Sequence, residues 1–203
     1  MEDYFDRKYF VLVDVQSLSH AAPRAFGEGA KIDYVKLKEY IKTVVGDADD
    51  EHYEWVAYVI TREGVGGFLK ALESAGYFLV KRRARGDSMP SLSNNMTADV
   101  IARMYGSTVL ERVVLVSSNE LVTPVIHHAQ QCEVPVSLVF TAQSVQHFRG
   151  REGVKTYHIP ESVLYDEGDK AHSHGRLVYD PDDPEDFDDE DDFDGVDVDQ
   201  FSY

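Results

Sequence analysis

The chain has one cysteine and one tryptophan in 203 residues, and it has no long hydrophobic run. A lone thiol, Cys132, excludes an internal disulfide and fits a reducing compartment. A membrane span needs roughly twenty consecutive apolar residues, and none of the apolar stretches here approaches that. The opening MEDYFDRKYF is acidic and lacks a basic segment followed by an apolar one, so it does not read as a signal peptide. A cytoplasmic location and no membrane partner are the expectations. Lys and Arg are missing altogether from residues 180–203, which hold 13 acids. The net charge of −17 is therefore concentrated there, because the rest of the chain sets 24 acids against 20 bases, a net of −4.

Other absences narrow the chemistry. His127 and His128 are adjacent on a helical stretch, so they point about 100° apart and share a metal poorly. The histidines at 172 and 174 have no cysteine partners, which argues against zinc. His20 and His147 have no evident partner. GVGG at 64–67 lacks both the dinucleotide spacing and a P-loop ending. No organic cofactor is expected, and there is no internal repeat.

What is present is a regular alternation. YFVLVD opens as an apolar strand, and KIDYVKLKEYIKTVV places Tyr34, Leu37, Ile41, Val44 and Val45 on one helical face behind Asp33 as N-cap. YEWVAYVI is a second strand, and GVGGFLKALESAG is a helix stopped by Gly76. YFLVKR is a third strand, MTADVIARMYG a helix, RVVLVS a strand, ELVTPVIHHAQQ a helix and VPVSLVF a strand. VKTYHIP is a last extended piece. Short apolar strands separated by amphipathic helices predict an α/β fold, with a mostly parallel sheet of about five strands covered on both faces. The domain boundary falls at residues 1–165. Residues 166–203 read as a disordered acidic tail, whose apolar content cannot offset its ordering entropy; it carries Phe187, Phe193, Phe201 and Tyr203 among its carboxylates.

In such a sheet, function collects at the carboxyl ends of the strands. Those ends supply Asp14, the basic cluster Lys81, Arg82, Arg83 and Arg85, and the SSNE run from Ser117 to Glu120; Arg62 extends the basic group. Asp99 is placed in the first turn of the helix before the fourth strand. Carboxylates beside arginines suit a reaction on a phosphodiester assisted by magnesium or manganese: oxygen ligands hold the ion and arginines hold phosphates. Each residue also has a structural reading. Asp14 can cap the helix or turn that follows it, Asp99 can answer a helix dipole, and SSNE is a good capping sequence.

The order of these motifs resembles the NYN family, whose domain belongs to the PIN-like nuclease group. FVLVDVQSLS, GYFLVKRR, NMTADVIARMYG and VVLVSSNELVTPVIHHAQQCEVPVSLVF carry the resemblance, over about residues 9–160. It implies a three-layer α/β fold and, in active members, a magnesium-dependent ribonuclease. Asp14 matches the family's first Asp and Asp99 the Asp of the helix. Ser17 stands where Asn is usual, and Tyr105 where that helix carries a further Asp. In the last motif Ser117, Ser118 and Pro124 match, whereas Asn119, Leu121 and Val122 replace two acids and a Phe.

With the acids thinned, the resemblance implies a nuclease-fold protein that binds RNA or single-stranded nucleic acid, its cleavage weak or lost. Asp14, Asp99, Asn119 and Glu120 are the catalytic candidates, and Asp14, Asp99 and Glu120 the metal ligands. Ser17, Arg62, Lys81, Arg82, Arg83, Arg85, Ser117 and Ser118 are the nucleic-acid contacts. The alternatives are an active endoribonuclease using Asp14, Asp99 and Glu120, and an adaptor whose acidic aromatic tail recruits a protein partner. The tail has three readings: a solubiliser, a recruiter, and an electrostatic decoy for the basic cluster.

Overall fold

The computed structural model describes residues 7–165, apart from 48, 62–64, 84–91, 107–108, 120–121 and 142–151. Its framework is one six-stranded sheet in the order β3-β2-β1-β4-β5-β6, with every neighbouring pair parallel. The strands are β1 (Tyr9–Asp14), β2 (Tyr53–Thr61), β3 (Phe78–Arg83), β4 (Arg112–Val116), β5 (Val136–Phe140) and β6 (Val154–His158). The extended piece VKTYHIP is thus a full edge strand, and the sheet has six strands rather than five. The chain builds outward from β1 to β3, crosses back to place β4 against the other side of β1, and continues to β6. That reversal puts the topological switch point between the carboxyl ends of β1 and β4, where doubly wound sheets open a crevice.

Five helices cover the two faces: α1 (Val15–Phe26), α2 (Tyr34–Val45), α3 (Gly66–Ser74), α4 (Ser93–Gly106) and α5 (Thr123–Gln131). Strand alternation sorts the core. Val11, Val13, Trp55, Ala57 and Val59 pack with Leu18, Leu37, Ile41, Phe68 and Leu72 of α1 to α3. Phe10, Leu12, Val56, Tyr58, Val113 and Leu115 pack with Met96, Val100, Val125, Ile126 and Ala129 of α4 and α5. Leu12 is fully buried, and truncating such a leucine to alanine costs on the order of 2–5 kcal/mol.

Local chemistry ends the helices where the pattern places them. Asp33 caps α2 by accepting from the backbone N–H groups of Val35 at 2.9 Å and Lys36 at 3.0 Å. Past α3, Gly76 takes φ +81°, a left-handed value that suits glycine because it has no Cβ. Tyr77 N–H then reaches back to Leu72 O and Gly76 N–H to Glu73 O, a Schellman closure. The Lys38 ammonium finishes this end by donating to Ala75 O at 2.9 Å, over the Trp55 and Tyr77 rings. The structural reading of Asp14 as the cap of a following helix holds, although the sequence pattern does not show that α1 runs on to Phe26. α4 starts at Ser93, so Asp99 lies inside that helix and not in its first turn.

The double cap at Asp33 makes Asp33→Ala an informative change. It should lower stability by about 1 kcal/mol, read as a lower urea midpoint with an unchanged slope. An unchanged midpoint would show that the cap contributes nothing to α2.

Candidate functional site

Asp14 is the last residue of β1 and the N-cap of α1. It has both jobs because α1 begins directly where the strand stops, leaving the helix's first N–H groups without internal acceptors. Its Oδ1 accepts from Ser17 N–H at 3.0 Å. Its Oδ2 accepts from the Ser117 hydroxyl at 3.1 Å, across the switch point from the end of β4. Only 7% of Asp14 is exposed. Burial pushes its carboxyl above the usual carboxylate range, opposed by the hydrogen bonds from Ser17 and Ser117 and by nearby His20.

The serines around it form a continuous network. Ser17 Oγ lies 3.0 Å from Ser117 Oγ, donates to Asp14 O at 3.2 Å and accepts from Ser118 N–H at 3.0 Å. Asn119 N–H donates to Ser117 Oγ at 3.2 Å. Ser118 Oγ extends the chain to Thr141 Oγ1 at 2.8 Å and accepts from Thr141 N–H at 3.1 Å. The ends of β1, β4 and β5 are thereby tied together by hydroxyls. Hydroxyls serve here because each can both donate and accept, so they close a network around one acid without adding charge. Asp14, Ser17, Ser117, Ser118 and Asn119 are therefore gathered at one edge.

Asp99 is held elsewhere on the same side of the sheet. It accepts from the Tyr58 phenol at 2.6 Å, and burial together with that carboxylate pushes the Tyr58 hydroxyl far above its ordinary value. Tyr58 is the β2 partner of Asp14 in register, so a whole tyrosine side chain reaches from that level to Asp99. Near Asp99, Glu54 Oε2 and Arg103 Nε pair at 2.6 Å. Among the described residues, no three His, Cys, Asp or Glu side chains are arranged to hold a metal.

The basic cluster lies on the edge strand. Lys81, Arg82 and Arg83 are exposed at the carboxyl end of β3. Lys81 pairs with Glu73 at 3.0 Å. Arg82 turns to α4, where the Asn95 amide oxygen, in its favourable orientation, accepts from Nε at 3.0 Å and also from Nη2. Arg62, Arg85 and Glu120 lie outside the described residues. Thr141, Tyr58 and the Glu54–Arg103 pair were not anticipated as parts of this region. Thr141 alone had a sequence signal, as the polar residue that ends VPVSLVF.

Asp14 sets a pH signature. Since its folded-state value stands above the unfolded one, the group stabilises the native state most when protonated. That contribution is lost as pH rises from the ordinary carboxylate range through the raised value. Asp14→Asn keeps a capping oxygen and removes the charge. Its stability relative to the parent should therefore improve from pH 4 to pH 7 in paired urea titrations. The gain should be about 1.4 kcal/mol for every pH unit by which folding raises the carboxyl's midpoint. A relative stability that falls over that interval would contradict the assignment.

Comparison with known proteins agrees with this architecture. The family model for the NYN domain matches residues 8–159. A crystal structure of a protein of unknown function from Vibrio parahaemolyticus RIMD 2210633 superposes with a TM-score of 0.62 at 18% identity, covering 81% of this chain and 100% of that one. At that identity the likeness is one of fold. No curated protein matches the sequence.

Proposed function

The chain belongs to the NYN domain family, within the PIN-like nuclease superfamily, and from that premise we propose that it binds RNA or single-stranded nucleic acid through its carboxyl edge, with metal-dependent cleavage weak or lost. The observation that carries this reading is the serine network around Asp14. At the position where a magnesium site needs acids, the edge offers one buried carboxylate with hydrogen bonds on both oxygens, hydroxyls, and Asn119 in place of an acid.

Magnesium is held by one or two carboxylates together with waters and substrate phosphates in near-octahedral geometry. Asp14 is nearly enclosed, and Asp99 is occupied by the Tyr58 phenol. This donor set fits a tightly held magnesium or manganese poorly. Asp14 acts instead as the anchor that fixes Ser17 and Ser117. Phosphate attraction comes from what surrounds it: the N-terminal end of α5, which carries partial positive charge, and the exposed Lys81, Arg82 and Arg83 of β3. With fewer acids in the crevice, less like charge opposes a phosphodiester backbone.

The triple change Lys81→Ala, Arg82→Ala and Arg83→Ala should weaken binding of a labelled single-stranded RNA about tenfold at low salt. It should also make the log–log salt dependence shallower, by about 0.7 for every phosphate that is no longer neutralised. Unchanged affinity removes the proposed interface. In the same preparation, incubation with magnesium or manganese should give no cleavage product that depends on Asp14. Products abolished by Asp14→Asn would make the chain an active nuclease and overturn the reading of the edge.

A further inference from the structure

The helices leave a gap beside the outer strands. Between α4 and the β2–β3 pair lies an open cavity of about 230 Å³, lined by Phe10, Glu54, Val56, Phe78, Val80 and the α4 flank from Asp99 to Arg103. Phe78 stands at it 63% exposed, an unusual position for a large aromatic on an edge strand. Phe78, Val80 and Arg82 share one face of β3 by alternation, and Arg82 reaches α4 at Asn95. A largely apolar recess therefore lies on the face of β3 that leads to Arg82. The acids within the lining are already engaged, Glu54 by Arg103 and Asp99 by Tyr58.

We infer that this recess is the docking site for residues 187–193 of the same chain, FDDEDDF, with one of its phenylalanine rings against Phe78 and Val80 and its carboxylates toward Arg82, the cation on the same face of β3. Charge is complementary, because the segment sets five consecutive acids between Phe187 and Phe193 and the recess leads to Arg82, while Lys81 and Arg83 stand on the other face of the same exposed edge strand. Size matches as well: an apolar cavity of about 150 Å³ accepts a benzene ring, and this one is larger.

Reach also matches. The chain leaves the domain at Tyr165, whose N–H donates to Lys31 O just ahead of α2, beside the Ile32–Leu164 bridge. From Tyr165 to Phe187 is 22 residues, and a polar linker of that length spans about 25 Å on average. The start of α2 lies beside β3, because the Tyr77 hydroxyl donates to Tyr34 O at 2.8 Å one residue ahead of Phe78, so a linker of this length reaches the recess with slack. The docked segment faces Arg82, one of the cations assigned to nucleic acid, so it competes with RNA; that consequence rests on the proposed nucleic-acid binding, whereas the docking does not.

The test uses the full chain, ¹⁵N-labelled, with Cys132→Ser and a nitroxide on Gly195→Cys. At low salt the amide signals of Phe78–Arg83 should broaden at all protein concentrations. The broadening should fade at about 0.5 M salt, where charge is screened within a few ångströms, and should be lost in Phe78→Ser. No broadening at β3, or broadening that persists in Phe78→Ser, overturns the inference. Equal broadening of ¹⁵N chain that lacks the nitroxide, when it is mixed with spin-labelled ¹⁴N chain, assigns the recess to a second copy and overturns it too. Adding single-stranded RNA separates the two claims. Tail release on RNA binding supports both, while docking that RNA never disturbs leaves the docking intact and removes the competition.

Discussion

The structure turns on one buried carboxylate. Asp14 ends the central strand, starts the first helix and accepts a hydroxyl from the neighbouring strand across the switch point. An ionised carboxylate taken out of water costs several kcal/mol unless polar groups replace the solvent. Ser17 N–H and Ser117 Oγ–H supply that replacement, and Ser17, Ser118 and Thr141 in turn fix the donors. Because the network joins three strand ends and one helix start, the geometry of the whole crevice follows from it. The same arrangement encloses Asp14 and places one hydrogen bond on each of its carboxylate oxygens, which narrows a cation's access to them. Structural satisfaction and metal binding compete for the same oxygens.

Topology decides what else reaches this edge. The β3-β2-β1-β4-β5-β6 order carries the basic strand end to the flank of the sheet, two strands from Asp14. The asymmetric helix cover has a second result, since α4 spans the sheet near its middle and leaves Phe78 beside an open recess. Arg82 stands on the recess's side of β3 and reaches α4 at Asn95.

Much of this was legible in the sequence because parallel strands in doubly wound sheets are short and uniformly apolar. YFVLVD, YEWVAYVI, RVVLVS and VPVSLVF could be assigned from composition alone, and reading off their ends located Asp14, Ser117 and Ser118 at a common edge. Asp33 and Gly76 were readable since caps are local. The extent of α1 was not. VQSLSHAAPRAF has few apolar residues and an internal Pro23, and only Val15, Leu18 and Ala22 are buried along it. The start of α4 was missed by several residues, which moved Asp99 from a first turn to the helix interior. The partnership of Asp99 with Tyr58 spans 41 residues and depends on strand order, and the Glu54–Arg103 pair is equally long-range; neither leaves a periodic trace. The fold was therefore readable from patterning, while the state of its acids required tertiary structure.

The central claim is that the carboxyl edge is a phosphate-binding surface organised by Asp14 and not a standing magnesium centre. Amide chemical-shift mapping of the ¹⁵N-labelled full chain, titrated separately with magnesium and with a single-stranded oligonucleotide, tests it most directly. The account predicts that the oligonucleotide shifts the signals of Ser17, Ser118, Asn119 and Lys81 to Arg83, while magnesium alone produces no saturable change there. Saturable magnesium shifts centred on Asp14 and Asn119, with no response to the oligonucleotide until the ion is bound, would contradict it.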